Sequence, residues 1–319
     1  MIIPFFFPFA GCPNRCSFCN SLSLNTENHR SISQSGFDQR ILSYLRSNRG
    51  GQKNQIAFYG GCFTLMPIQE QERFLDWSRT WIRKQAIDSI RFSTIPVMPP
   101  YTLISLYKES GVKTVELGIE IMDDDVLTIN HRQYTTNQAQ KVIRFFHDEG
   151  FEVGIHLMFG LPGSSLEKED SSLEHCLFTP FDFVRLHPTI VLSGTELHQW
   201  YQSGLFDPLD LNEAVIQIAS ISARLKELDQ KRVAQTGLLL TDNKKSILVA
   251  GPYHPAFGDL VCIQELWISL GRQLNQEHRI EVSRKVFQRF FAHRGFFLDR
   301  MQSIRYQEIE DDQIEVRKR

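Results

Sequence analysis

The sequence holds no run of about 18 apolar residues, so no segment is expected to cross a bilayer as a helix. No Lys or Arg precedes Arg15, although Met1 to Cys12 (MIIPFFFPFAGC) is apolar. A secretory leader starts with basic residues and then forms a helix; Pro4 and Pro8 suit an extended strand better. The lipoprotein-like look of Phe9-Ala10-Gly11-Cys12 is therefore superficial. Strong net charge is also missing: 35 Lys and Arg face 37 Asp and Glu, for -2 overall. A chain that holds nucleic acid by global charge would be more basic, although a local basic groove remains allowed. There are no repeats and no low-complexity linker. Six cysteines in 319 residues are too sparse for a disulfide scaffold. The expected setting is the cytoplasm, with reduced thiols available to a metal and no membrane partner.

What is present is a regular alternation. β-type runs at residues 2–9, 55–58, 89–93, 114–117, 151–159 and 183–187 alternate with helical runs at 37–45, 69–85, 101–110, 136–149 and 166–175. In the second helix Phe74, Trp77 and Trp81 fall at helical spacing. Gly111 stops one helix, Thr136 is a suitable N-cap and Gly150 a suitable stop. Such alternation implies α/β architecture with parallel strands and outer helices. Right-handed crossovers curl it into a full or partial TIM-like barrel, which periodicity does not separate from an open sheet. In either, chemistry sits at the C-terminal ends of the strands. After residue 200 the rhythm changes to helices at 211–228, 260–274 and 284–301, a Gly/Pro/His loop at 251–258, and an edge-like strand at 306–318. The expected domains are a partial (β/α)6 barrel over 1–200 and a C-terminal α+β extension over 201–319. Most of the 24 Phe are expected in the core.

Chemistry concentrates in Gly11-Cys12-Pro13-Asn14-Arg15-Cys16-Ser17-Phe18-Cys19-Asn20. Three thiolates in a loop led by Gly and Pro can converge and ligate three irons of a cubane. The fourth iron would stay open, the usual mark of a catalytic metal. A structural zinc site is the alternative, but it needs four ligands and usually two Cys pairs; no second pair exists, and the nearest imidazole is His29. Plain packing would not require this spacing.

Cys-x3-Cys-x2-Cys with an aromatic before the third Cys resembles the signature of the radical S-adenosylmethionine (SAM) superfamily. Further stretches resemble the radical SAM domain of the Elongator catalytic subunit and its shorter bacterial relatives: Ala57–Thr64 (AFYGGCFT), Val115–Asp124, Gly154–Gly163 (GIHLMFGLPG), Phe183–Leu197 and Val249–Gly258. The resemblance implies a [4Fe–4S] cluster on Cys12, Cys16 and Cys19 and SAM chelating the open iron. Phe18 would lie near the adenine, Gly60 and Gly61 would receive the methionine amino group, and Gly160, Leu161 and Pro162 would border the adenosine. Arg185 is the candidate for the SAM carboxylate or a substrate anion. An external electron donor of flavodoxin or ferredoxin type is implied, and so is a 5′-deoxyadenosyl radical. No stretch resembles the acetyl-CoA-binding domain of the Elongator subunit. That favours a small molecule or peptide as substrate, with tRNA as the alternative and a non-catalytic iron–sulfur sensor as another.

Two positions depart from the family. Relatives show Ser-Thr-Arg-Pro-Asp where this chain has Ser93-Thr94-Ile95-Pro96-Val97, so Ser93 remains a cofactor candidate while a charge is lost or supplied by Arg132 or Arg185. Cys62 replaces a Ser-like residue, and inert packing is its simplest role. Glu116 and Glu120, on one face of a strand, can reach the SAM ribose or amino group or form ordinary ion pairs. His156 can line the cavity or be a hydrogen-bonded core histidine. Arg and Phe interleaved over 284–305 can bind RNA or form a core face.

Overall fold

The computed structural model describes the chain except residues 25–28, 49–52, 230–231, 239, 241–245, 278, 284–287, 289–292, 294–303, 311–312 and 319. Its elements run β1 (Ile2–Phe6), α1 (Ser21–Leu24), α2 (Gln34–Ser47), β2 (Gln55–Tyr59), α3 (Ile68–Arg83), β3 (Ser89–Thr94), α4 (Tyr101–Ser110), β4 (Val112–Glu120), α5 (Asp124–Ile129), α6 (Thr136–Asp148), β5 (Glu152–Phe159), α7 (Leu166–Leu177), β6 (Phe183–Pro188), β7 (Val191–Leu192), α8 (Glu196–Gln202), α9 (Leu211–Asp229), β8 (Arg232–Thr236), β9 (Leu248–Ala250), α10 (Phe257–Glu277), β10 (Arg279–Ser283), β11 (Ile304–Glu310) and β12 (Gln313–Lys318).

Seven strands pair in the order β1-β2-β3-β4-β5-β6-β8, each parallel to its neighbour. Order in space follows order in sequence, as helix-joined crossovers of one hand require. Ile2, Pro4 and Phe6 from one end of the sheet and Gln235 from the other line the same cavity as the central strands, so the sheet is curled into a half-barrel. The expected partial barrel is therefore present and gains a seventh strand, β8, from beyond residue 200. Its sequence, Arg-Val-Ala-Gln-Thr, is too short and too polar to stand out as a strand. Past it, β10, β12 and β11 form a small antiparallel sheet. In place of the one edge strand expected over 306–318 there are two antiparallel strands, β11 and β12. Of the helix expected over 284–301, only Gln288 and His293 are among the described residues.

The central strands β3 and β5 are buried on both faces, which is why they read as nearly continuous apolar runs. Outside β1–β3 the Phe-rich composition becomes one aromatic layer. Phe5 stacks on Phe37 at 4.2 Å, Phe58 on Phe63 at 5.1 Å and Phe63 on Phe92 at 4.9 Å. Helix entries carry their own caps: Ser33, Asp123, Ser165 and Thr195 each accept from a backbone N–H of the first turn. Thr135, not Thr136, caps α6, because Gln138 completes a reciprocal capping box with it.

Candidate active site

The C-terminal ends of the strands and the loops that follow surround a cavity of about 680 Å³, within the range of about 300–1,000 Å³ typical of small-molecule and cofactor sites. Cys12, Cys16 and Cys19 share its wall with Phe18, Gly60, Gly61, Ser93, Glu116, Glu120 and Arg185. Gly160, Leu161 and Pro162 are not part of that wall.

The cysteine loop is pressed against the turn after β2. Gly11 has φ +70, and a Cβ there would stand 2.3 Å from the Cys62 carbonyl oxygen; one on Gly61 would stand 2.4 Å from the Ala10 carbonyl. Only glycine allows this approach of two backbones. The Cys62 N–H donates to Ala10 O at 2.7 Å, and Cys12 N–H to Phe9 O at 3.1 Å. On the other side, Leu197 N–H donates to Ser17 O at 2.9 Å and Ser17 Oγ–H to Asn130 Oδ1 at 2.7 Å. Asn130, itself buried, donates through Nδ2 to Pro162 O at 3.0 Å. The Gly160–Gly163 turn therefore touches the cysteine loop through Asn130.

A single cation reaches the three thiols' end of the cavity among the described contacts. Arg132 Nη1 donates to Cys16 Sγ at 3.1 Å, its Nη2 faces Glu120 Oε1 at 3.4 Å and donates to Gly118 O, and its Nε donates to Tyr134 at 3.1 Å. Arg132, one of the two arginines considered for the charge absent at Ile95 and Val97, thus stands beside the cysteine loop. Cys12 lies 3.5 Å, sulfur to sulfur, from Cys62. That hydrogen bond, aided by burial, raises the Cys12 thiol, and burial together with Cys16 pushes Cys19 up to about 12. Thiols so placed become thiolates only against compensating positive charge, which a metal provides. Among the described residues no three His, Cys, Asp or Glu side chains already stand at metal-ligand spacing. The trio fits an iron–sulfur cluster by donor chemistry and by its shared wall.

Deeper in the half-barrel, Glu116 is a hub with no exposure. Its carboxylate accepts from Tyr59 Oη–H at 2.7 Å, Arg91 Nη1 at 2.8 Å and Arg185 Nη2 at 3.1 Å, with Arg185 Nε at 2.8 Å and His156 Nε2 at 3.0 Å. Burial alone would raise its pKa; the His156 hydrogen bond and the charges of His156, Arg185 and Arg91 outweigh it and hold Glu116 well below the usual carboxylate range. Burial, with the Glu116 charge behind it, pushes the Tyr59 phenol up, so it stays a neutral donor. Burial, reinforced by His156 and Arg185, lowers His187 to about 3. Arg185 also donates to Gln235. Phe183, at the start of β6, is fully buried and occupies the space a side chain at 154 would need: a Cβ on Gly154 would be 2.2 Å from its ring.

Glu116 and Arg185 thus bind each other, with Tyr59, Arg91 and His156 also on Glu116 and Gln235 and Tyr59 on Arg185. Tyr59, Arg91, His187 and Gln235 escaped the sequence reading, though the signal was there. Arg91 is two residues before Ser93 and His187 two after Arg185, so the strand period of two places each on an inward face. His156 both lines the cavity and is hydrogen-bonded. His254 Nδ1 accepts from Ala256 N–H at 3.1 Å at the entry to α10.

Comparison with known proteins now adds a family. A profile described as Radical SAM superfamily matches residues 6–175, and one described as Radical_SAM C-terminal domain matches residues 181–267. A tRNA uridine(34) acetyltransferase of Methanocaldococcus infernus is 29% identical over 154 residues, which is 47% of this chain and 28% of that protein. Protein YhcC of Escherichia coli is 25% identical over 216 residues, 63% of this chain and 67% of that one. The chain thus spans little more than a quarter of the first relative. Among solved structures, archaeal Elp3 of M. infernus lacking its N-terminus superposes with TM-score 0.66 at 19% identity, covering 88% of this chain and 70% of that one, which establishes a shared fold.

Proposed function

The chain belongs to the radical SAM superfamily, and from that premise we propose that it cleaves SAM reductively at a [4Fe–4S] cluster held by Cys12, Cys16 and Cys19. The observation that carries this reading is that all three cysteines of Cys-x3-Cys-x2-Cys face one cavity at the C-terminal ends of parallel strands. When bound and reduced by an external donor, the cluster supplies the electron that splits SAM into methionine and a 5′-deoxyadenosyl radical. The chain's own residues bind and orient. Gly60 and Gly61 offer close backbone approach to the methionine end, with Ser93 and Glu120 beside them. In this reading Arg132 serves the SAM carboxylate instead of Arg185, whose guanidinium is engaged by Glu116, and Phe18 meets the adenine. Glu116 holds Tyr59, Arg91, His156 and Arg185 rigid and does not itself contact SAM. Gly160, Leu161 and Pro162 act by bracing the cysteine loop through Asn130.

The cavity of about 680 Å³, which must also hold SAM, favours a compact substrate, a small molecule or a peptide end, presented to His156 and Arg185. The similarity to tRNA-modifying proteins supports the second reading, a tRNA base, with the chain acting as their radical SAM portion. Anaerobic reconstitution tests the main reading. The loaded, reduced protein should show iron–sulfur absorbance and release 5′-deoxyadenosine, and replacing the three cysteines by alanine should abolish both. An iron–sulfur spectrum that survives the triple substitution would reject it. Gel shifts with tRNA across salt concentrations separate the substrate classes.

A further inference from the structure

We propose that Cys12 and Cys62 form a reversible thiol–disulfide pair, a modification site that reacts with a low-molecular-weight disulfide such as glutathione disulfide. Its effect on the cluster rests on the reading above; the pair itself does not. Buried cysteines are usually inert packing, and Cys62 differs in three ways. Its sulfur is 3.5 Å from Cys12 Sγ, so closure to a bond of about 2.05 Å asks only a small side-chain movement. The backbones that carry the two residues are already joined by the 2.7 Å hydrogen bond from Cys62 N–H to Ala10 O and by the contact at Gly11. Both residues also line the main cavity, which gives a small oxidant its route. Cys62 lies outside the Cys-x3-Cys-x2-Cys ligand set.

The step balances as an exchange. One of the two thiols attacks the disulfide of the oxidant, releasing one glutathione. The other then displaces the second glutathione and closes the Cys12–Cys62 bond. Two thiols are oxidised by two electrons, the oxidant's S–S bond is reduced, and both thiol protons end on the two glutathione molecules. An iron-bound Cys12 is not available for this, so the reaction belongs to cluster-free protein. There it keeps Cys12 from overoxidation and withholds a ligand until reduction.

Trypsin separates the sulfurs cleanly: residues 1–15 carry Cys12 alone, 16–30 carry Cys16 and Cys19, and 54–73 carry Cys62 alone. Cluster-free full-length protein is equilibrated in glutathione/glutathione disulfide mixtures, alkylated, digested and mapped by mass spectrometry. The expected product is peptide 1–15 linked to 54–73, formed as oxidant rises, reversed by dithiothreitol and absent from both Cys62→Ser and Cys62→Ala. A Cys16–Cys19 bridge or persistent glutathione on Cys12, with no 1–15/54–73 link, overturns the proposal. Iron and sulfide uptake by the linked wild type should require prior reduction; uptake with the link intact overturns the withholding role. Reduced wild type that takes up no cluster rejects the cluster reading instead, since the peptide map is read independently of it.

Discussion

Replacing Glu116 by glutamine should cost stability far out of proportion to the single atom changed. Glu116 has no exposure, and Arg91 and Arg185 beside it keep 8% and 14% of their side chains exposed. Removing one member of a buried ion pair costs about 3–5 kcal/mol, because the other charge stays buried without compensation. Here Arg91 retains Glu152 at 3.9 Å, a carboxylate 38% exposed, which relieves part of the loss. The expectation is therefore the lower end of that range, about 3 kcal/mol, since a second partner remains. At about 2–4 °C per kcal/mol for a large domain, the melting temperature should fall by about 6–12 °C. The assay is urea unfolding of reduced, cluster-free protein, repeated across pH. Glu116 has a folded-state pKa below its unfolded value. Its contribution is thus present above about pH 4.5 and is lost as pH falls further, while the glutamine variant has no such term. The gap between wild type and Glu116→Gln should therefore be full at pH 7 and narrow below about pH 4.5. A loss under about 1 kcal/mol, the scale of an exposed pair, or a gap unchanged between neutral and acid pH, would refute the hub.

Gly154→Ala should destabilise by about 1–3 kcal/mol through overpacking against Phe183, and Phe183→Leu added to it should recover part of the loss; equal stability of Gly154→Ala and wild type in urea would deny that the ring fills this space. Burial holds half-buried His187 down at about 3 against about 6.5 when unfolded. The unfolded chain then binds the extra proton as pH falls between those values, so folding weakens by at most about 1.4 kcal/mol per pH unit. His187→Gln should flatten the stability slope between about pH 6.5 and pH 4.5, above the window of Glu116; parallel slopes for the two proteins would count against a neutral His187.

The three-cysteine motif, the strand–helix alternation and six of the seven barrel strands were legible because each is a local pattern: thiol spacing, period two, period 3.6, and glycine or proline at the breaks. Gly60 and Gly61 were visible for the same reason. The sequence did not show β8, whose five residues carry little apolar signal and become a strand only by pairing with β6. Nor could it separate Glu116 from Glu120. The two sit four residues apart on one strand, yet the first meets Arg91 and His156 from the flanking strands β3 and β5 and Arg185 from β6, and the second meets Arg132 from the loop before α6.

By itself the sequence determined which chemistry is possible, because ligand type and spacing are properties of the chain. Which side chains serve that chemistry was decided only by the tertiary structure. The fold brings Cys62 to Cys12 and Arg132 to Cys16, and it makes Glu116 a charge hub. Electrostatic and sulfur contacts act over a few ångströms of space, and residues 50 to 116 positions apart in the chain come that close only through the fold.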